Sequence, residues 1–122
     1  MNSAARSINI YGNYLVLLGI AFLVAPNQVL GVFQLPPTTE VWIRVVGMLV
    51  AYLGIYYRVA AAGNLVPFFT ATVMLRCAVP IFFLGFVLAG WVTWPLLLFA
   101  LPEVAGAAWT WSTLRSMQRT PG

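Results

Sequence analysis

A chain of 122 residues with 62% hydrophobic and only 7% charged residues has too little polar surface for a soluble domain. Its net charge of +4 comes from single, scattered arginines and does not indicate nucleic-acid binding. The absence of His and the single Cys exclude Ser–His triads and cysteine-pair redox chemistry, and two carboxylates are too few for a protein-built metal site. We therefore predict one membrane-embedded domain, 1–122, without metal or cofactor, that is more consistent with a non-catalytic protein than with an enzyme.

The first predicted span covers about residues 8–25, which is long enough to cross the ~30 Å hydrocarbon core of a bilayer. A cleaved signal peptide is the alternative, with Val24-Ala25 as the candidate cleavage point. However, Arg6 alone makes a weak positive segment before the apolar run, and Pro26 directly follows the candidate cleavage point. These features favour a span that is retained.

The connector 26–39 is too apolar for a free loop and too short to span a membrane. We expect a half-helix that lies at the membrane interface and ends at Pro36-Pro37. Thr38 or Thr39 is then predicted to cap the next helix, and Glu40 lies where a helix N-terminus favours negative charge.

The second predicted span covers about residues 41–62, and one of its faces is rich in small side chains. Such a face allows another helix to approach closely, as packing in lipid requires. Its members, at helical spacing, are Arg44, Gly47, Ala51, Gly54 and Arg58. We assign Gly47, Gly54 and Arg58 structural roles, and we expect Arg44 to pair with Glu40 four residues earlier.

Two further spans are predicted at about 67–90 and 95–114, each with a proline and a charged residue inside it. In the third span, Pro80 is expected to kink the helix and to leave the carbonyl of Arg76 without its usual partner. In the fourth span, Pro102 stands directly before Glu103. The polar tail 115–122 is expected to fray.

Glu103 is the main candidate for a functional residue. A mid-membrane charge costs at least ~2.5–3.5 kcal/mol, so it normally meets a partner or a watery cavity. Glu103 and Arg76 are predicted at nearly the same depth, so we expect an Arg76–Glu103 or an Arg44–Glu103 contact. One interpretation is a structural ion pair that fixes helix register, and the other is a carboxylate that binds a proton or a ligand. Tyr52 is a further candidate for lining a lipophilic pocket, although membrane tyrosines are more often interface anchors.

The distribution of arginines predicts the topology. In a four-span arrangement, four of the six arginines lie near span ends on one side, which places both termini in the cytoplasm. These residues are Arg6, Arg58, Arg115 and Arg119. The tryptophans at positions 42, 91 and 94 fall on the opposite side, as interface anchors do. We expect a multi-pass protein of the bacterial inner membrane.

The first helix, the connector Leu35-Pro36-Pro37-Thr38 and the segment Trp42-Ile43-Arg44-Val45-Val46-Gly47 resemble small four-span bacterial membrane proteins of the DoxX-like type. The resemblance covers about half of the chain. It implies a four-helix membrane architecture, and it assigns no catalytic residues to this chain.

The predicted fold is thus an all-α, four-helix transmembrane bundle with a short interfacial segment between helices 1 and 2. Our leading functional hypothesis is a non-catalytic accessory or scaffolding subunit of an inner-membrane assembly, because the small-residue faces favour association with another copy or a larger partner. The first alternative is a small oligomeric transporter or channel that uses a buried Arg/Glu pair. The second alternative is a lipid- or quinone-handling enzyme, which predicts an apolar pocket near Glu103.

Overall fold

The computed structural model describes residues 2–119, and for residues 118 and 119 it describes the backbone alone. This part of the chain is built from helices and contains no strand. The elements are α1 (Ser3–Val24), α2 (Pro26–Val32), α3 (Trp42–Ala62), α4 (Val66–Leu88), a 3-10 segment (Trp94–Phe99) and α5 (Ala100–Arg119). The protein is therefore all-α, as its composition predicts.

Three helices, α1, α3 and α4, are long and apolar enough to cross a membrane. The fourth predicted span, 95–114, is divided differently: residues 94–99 form the 3-10 segment, and α5 begins only at Ala100. As a result, α5 loses the most apolar part of the predicted span and extends into the polar tail. The expectation that the tail frays is wrong for residues 115–119, which belong to α5, and residues 120–122 lie outside the described part.

The two prolines of this region explain where α5 begins. Pro95 occupies the first turn of the 3-10 segment, and Pro102 lies in the first turn of α5. A proline is tolerated there because the first N–H groups of a helix have no intrahelical partner. Pro102 therefore stands at the start of α5 and does not interrupt it.

The pair formed by α1 and α3 is held together by glycines on both helices. A β-carbon on Gly19 would lie 2.5 Å from the carbonyl oxygen of Gly47, and one on Gly54 would lie 2.5 Å from that of Gly12. The two backbones are thus in direct contact along a glycine seam formed by Gly12, Gly19, Gly47 and Gly54. Close packing of this kind replaces the hydrophobic drive that is missing between helices in lipid.

The end of the bundle that carries the chain's N-terminus contains the buried core, and we call it the terminal end. Asn2 caps α1 by accepting from the N–H of Ala5, and its side-chain nitrogen donates to Asn64 in the turn between α3 and α4. Gly63 ends α3, and Asn64 adopts the left-handed conformation that closes the turn, with φ 51°. The core residues nearby include Ile8, Phe69 and Ala107, all with no exposed surface.

The opposite end, which we call the connector end, contains α2 and the 3-10 segment. The predicted half-helix is present as α2, but it ends at Val32, before the left-handed Gln34 and well before Pro36-Pro37. The predicted cap of the next helix is wrong: α3 follows Val41 with no side-chain cap. The Thr38 hydroxyl instead accepts from the N–H of Glu40, at 3.1 Å.

Candidate ligand-binding site

A buried polar cluster surrounds Arg76 in the middle of α4. Only 2% of Arg76 is exposed. Its Nη2 donates to the hydroxyls of Thr72 at 3.1 Å and Thr110 at 3.0 Å, and its Nε donates to the carbonyl oxygen of Thr72 at 3.3 Å. Thr110 shares a further hydrogen bond of 2.8 Å with Ser7 on α1. Arg76 is therefore fixed by the hydroxyls of Thr72 on its own helix and Thr110 on α5, which compensate part of the cost of burying a charge, and Ser7 on α1 supports Thr110.

Two further residues shape the space around the guanidinium. Its central carbon lies 4.6 Å from the centroid of the Tyr11 ring, a distance at which a cation and an aromatic face attract each other. A β-carbon on Gly106 would lie 2.8 Å from Nη1 of Arg76, so the absence of a side chain at this position makes room for the guanidinium. Nη1 itself has no hydrogen-bond partner in the described part of the chain.

Glu103 is half-buried and does not form the expected ion pair with Arg76 within the described residues. The reason is the register of α5. Thr110, which holds Arg76, lies seven residues after Glu103, or about 10 Å along the helix axis at ~1.5 Å per residue. The Glu103 carboxyl lies near the hydroxyl of Tyr11, whose ring also faces the guanidinium of Arg76.

The second expected partner of Glu103, Arg44, is engaged elsewhere. Its Nη1 donates to the backbone carbonyl of Leu23 at the end of α1. Its expected ion pair with Glu40 is also not formed in the part of the chain that the structure describes. Both side chains are exposed at the connector end.

An apolar cavity of about 310 Å³ lies between Glu103 and the connector end. Glu103 is the single polar residue in its wall. The other lining residues are Leu15, Leu18, Phe22, Leu30, Leu35, Ile43, Val50, Phe83, Leu96 and Phe99. A cavity that is almost entirely apolar, with one polar group that can orient a ligand, has the usual composition of a small-molecule site.

One side of this cavity is formed by the two segments that are too short to span a membrane. Phe99 of the 3-10 segment stacks on Phe33, just after α2, with ring centroids 3.6 Å apart. It also stacks on Phe22 of α1, with centroids 6.4 Å apart. These ring contacts hold the connector and the 3-10 segment together beside the cavity.

A second, polar pocket of about 320 Å³ lies beside the apolar cavity at the connector end. Ile43 lines both, so the two share a wall. The polar residues around this pocket are Asn27, Gln28, Thr38, Thr39, Glu40 and Arg44.

The remaining predicted site residues lie away from both pockets. Tyr52 is 51% exposed on α3 and lines neither of them. Arg58 is exposed near the terminal end of α3, and α4 continues through Pro80 as one helix. Gly47 and Gly54 are buried in the glycine seam.

Tyr11 is the important residue that the sequence did not identify. It is buried, and its ring lies against the guanidinium of Arg76 and near Glu103. Its spacing was the available signal: Ser7, Tyr11 and Leu15 follow one another at four-residue intervals, so they share the face of α1 that meets α5.

No family model matches this chain, and no curated protein or solved structure is significantly similar to it. The DoxX-like resemblance therefore remains a prediction. The fold and the site define a general class, a small all-α protein with three helices able to cross a membrane and an apolar cavity that ends at a carboxyl group.

Proposed function

We propose that this chain is a small integral membrane protein that binds the hydrocarbon part of a lipophilic molecule in the apolar cavity beside Glu103. The observation that carries the proposal is the composition of the cavity wall, which is apolar except for Glu103. Apolar side chains that line a cavity have few dispersion contacts on the cavity side, and a bound hydrocarbon chain supplies those contacts.

Selectivity has to come from polar contacts, because the bilayer is as apolar as the cavity. A hydrocarbon chain that moves from lipid into the cavity therefore gains little from the hydrophobic effect. Glu103, which lies near Tyr11, is the group in the wall that can recognise a polar atom of the ligand. Binding rather than catalysis is proposed, because the site brings together one carboxyl group, one phenol and one guanidinium without His, Asp or Lys.

We further propose that α5 completes a four-helix transmembrane bundle with both termini in the cytoplasm of a bacterial cell. The arginine distribution supports this topology. Arg6 and Arg58 are exposed at the terminal end, where the Asn2–Asn64 hydrogen bond joins α1 to the α3–α4 turn. Arg115 lies near the end of α5, and the side chain of Arg119 lies outside the described part.

The binding proposal is tested by comparing two neighbouring leucines of α1. Leu18 is half-buried and lines the cavity, whereas Leu17 is 68% exposed on the outer face. Leu18→Trp fills the cavity, and Leu17→Trp adds the same group outside it. We expect lipids that co-purify with the detergent-solubilised protein, measured by native mass spectrometry, to decrease strongly in Leu18→Trp and to persist in Leu17→Trp. Equal lipid content in the two folded variants would overturn the proposal.

An accessory subunit of a larger inner-membrane assembly remains a second proposal. It is supported by α4, whose apolar side chains are the least covered of the three candidate spans. The test is the mass of the native complex extracted from membranes in a mild detergent. A monomer that retains only lipid contradicts the accessory role, as well as the homo-oligomer expected from the sequence. A transporter that depends on a direct Arg76–Glu103 ion pair has weaker support, because the two side chains have different partners.

A further inference from the structure

We infer that the polar pocket and the apolar cavity together form one site for a zwitterionic phospholipid. The headgroup occupies the pocket between Glu40 and Arg44, and an acyl chain passes Ile43 toward Glu103. This inference rests on the proposed lipid-binding function of the cavity and adds the chemical class of the ligand.

The two charges of the polar pocket are the first argument. Arg44 lies in the first turn of α3 and Glu40 lies two residues before that helix begins, and both line the pocket. Each would be expected to neutralise the other, yet they form no ion pair in the described part of the chain. A zwitterionic headgroup carries a phosphate and an ammonium group a short distance apart. Its charges are therefore complementary to Arg44 and Glu40, respectively.

The hydrogen-bonding capacity of Arg44 is the second argument. A guanidinium has five N–H donors in a planar arrangement that suits phosphate oxygens. Nη1 of Arg44 donates to the carbonyl oxygen of Leu23, and this contact orients the guanidinium at the pocket wall. Its other nitrogens have no hydrogen-bond partner among the groups that the structure describes, and they are free to bind phosphate.

The neighbouring connector supplies neutral polar groups and a fixed wall. The side-chain oxygen of Asn27 accepts from the N–H of Thr38 at 2.8 Å, which joins the two ends of the connector across the pocket. Gln28 and Thr39 line the same pocket and provide an amide and a hydroxyl. These are the groups that can contact the ester and phosphate oxygens of a lipid.

The position of Ile43 relates the proposed headgroup site to the proposed acyl-chain site. It is the one residue that lines both the polar pocket and the apolar cavity. Ile43 directly precedes Arg44 in the first turn of α3, whereas Glu103 lies at the deeper end of the cavity with Leu15 and Val50. An amphiphile with its polar end at Arg44 is therefore placed next to the apolar cavity whose wall includes Glu103. A free polar molecule would use only the first of these two pockets.

The test compares four probes added to the delipidated protein in detergent. They are a phosphatidylethanolamine, a phosphatidylglycerol and a diacylglycerol with identical chains, and free phosphoethanolamine. Binding is measured by native mass spectrometry and by the rise in thermal stability. We expect phosphatidylethanolamine to bind about tenfold more tightly than phosphatidylglycerol, which lacks the ammonium group, and both to exceed diacylglycerol. Phosphoethanolamine alone should bind far more weakly than the intact lipid, and equal binding would overturn the two-pocket site.

Three glutamine variants assign the charges. Arg44→Gln should weaken both phospholipids by about tenfold, because it removes the phosphate ligand. Glu40→Gln should remove the preference for phosphatidylethanolamine while leaving phosphatidylglycerol unchanged. Arg58→Gln is the matched control, since it removes an exposed arginine from the opposite end of the same helix. Thermal unfolding of each variant without lipid confirms that the fold is retained.

The outcomes separate this inference from the proposed function. If Leu18→Trp reduces lipid binding but Glu40→Gln and Arg44→Gln bind all probes as wild type does, the headgroup assignment is wrong and the cavity proposal stands. If Leu18→Trp has no effect while Arg44→Gln loses phospholipid, the cavity proposal is wrong and lipid contacts the polar pocket alone.

Discussion

A β-carbon on Gly106 would lie 2.8 Å from Nη1 of Arg76, so a position without a side chain on α5 determines how deeply the guanidinium of α4 is inserted. The same guanidinium lies over the ring of Tyr11 from α1. Three helices are therefore joined at one cation, and the contacts that hold it are neutral: two hydroxyls, a carbonyl and an aromatic face. Arg76 therefore contributes to the packing of the three helices as well as carrying a charge.

The first prediction concerns this contact. Gly106→Ala should destabilise the protein by about 1–3 kcal/mol, because the added methyl group overpacks the site and moves Arg76 away from Thr110. Gly85→Ala is the control, since a β-carbon there meets no atom within 4 Å and alanine is the better helix former. The measurement is equilibrium unfolding in mixed detergent micelles. Equal stability of the two variants would contradict the prediction.

The second prediction concerns the coupling of Arg76 and Glu103. Arg76→Gln should be strongly destabilising, because Thr72 and Thr110 then lose their buried donor. Glu103→Gln should cost little, since the amide can still interact with the Tyr11 hydroxyl and no ion pair is lost. A double-mutant cycle should therefore give an interaction free energy below about 1 kcal/mol. Recovery of stability in the double variant would instead indicate a direct structural ion pair.

The third prediction concerns the glycine seam. Gly19→Leu should separate α1 from α3 and abolish stable folding or cost several kcal/mol, because its β-carbon would already lie 2.5 Å from the carbonyl oxygen of Gly47. Gly31→Leu is the control on α2, where a β-carbon meets no atom within 4 Å. Yield and thermal stability after detergent extraction provide the comparison. Similar behaviour of both variants would exclude the seam as a major determinant of stability.

The fourth prediction tests the number of spans by cysteine labelling. In a Cys77→Ser background, single cysteines replace Asn64, Thr93 and Met117, which are exposed at the turns and near the end of α5. A membrane-impermeant maleimide applied to intact cells should label Thr93→Cys alone, because four spans place the other two positions in the cytoplasm. Labelling of Met117→Cys together with Thr93→Cys would indicate three spans, with α5 outside the membrane. Labelling of broken cells controls for reactivity.

The sequence predicted most ends of α1, α3 and α4 to within a few residues. Length and hydropathy are sufficient to locate these three helices. It did not predict that residues 94–99 form a 3-10 segment. Pro95 and Pro102 both fit the start of a helix, and the apolar run gives no signal that distinguishes the two starts. The amphiphilic character of the connector indicated α2, but the left-handed Gln34 that follows it has no strong sequence marker.

The sequence singled out Arg76 and Glu103 as candidates, but it did not predict their contacts or the position of Tyr11 beside them. We predicted a contact between Arg76 and Glu103 because the two residues lie at a similar depth in the membrane. Depth, however, does not indicate how far each helix is rotated about its own axis. The hydroxyls of Thr72 and Thr110 compete for the guanidinium, and they hold it one to two turns from Glu103. The cavity was not predictable in detail, because its wall combines one to three residues from every element of the described chain.

The stack of Phe33 on Phe99 has a consequence for how such a protein can diversify. The glycine seam joins α1 directly to α3, whereas one side of the cavity comes from two short segments outside that pair. Leu30, Leu35 and Leu96 can therefore change size with little effect on the helix pair. Substitutions in these short segments provide a route by which evolution, or a protein engineer, can alter the shape of the accepted molecule while the helix pair stays the same.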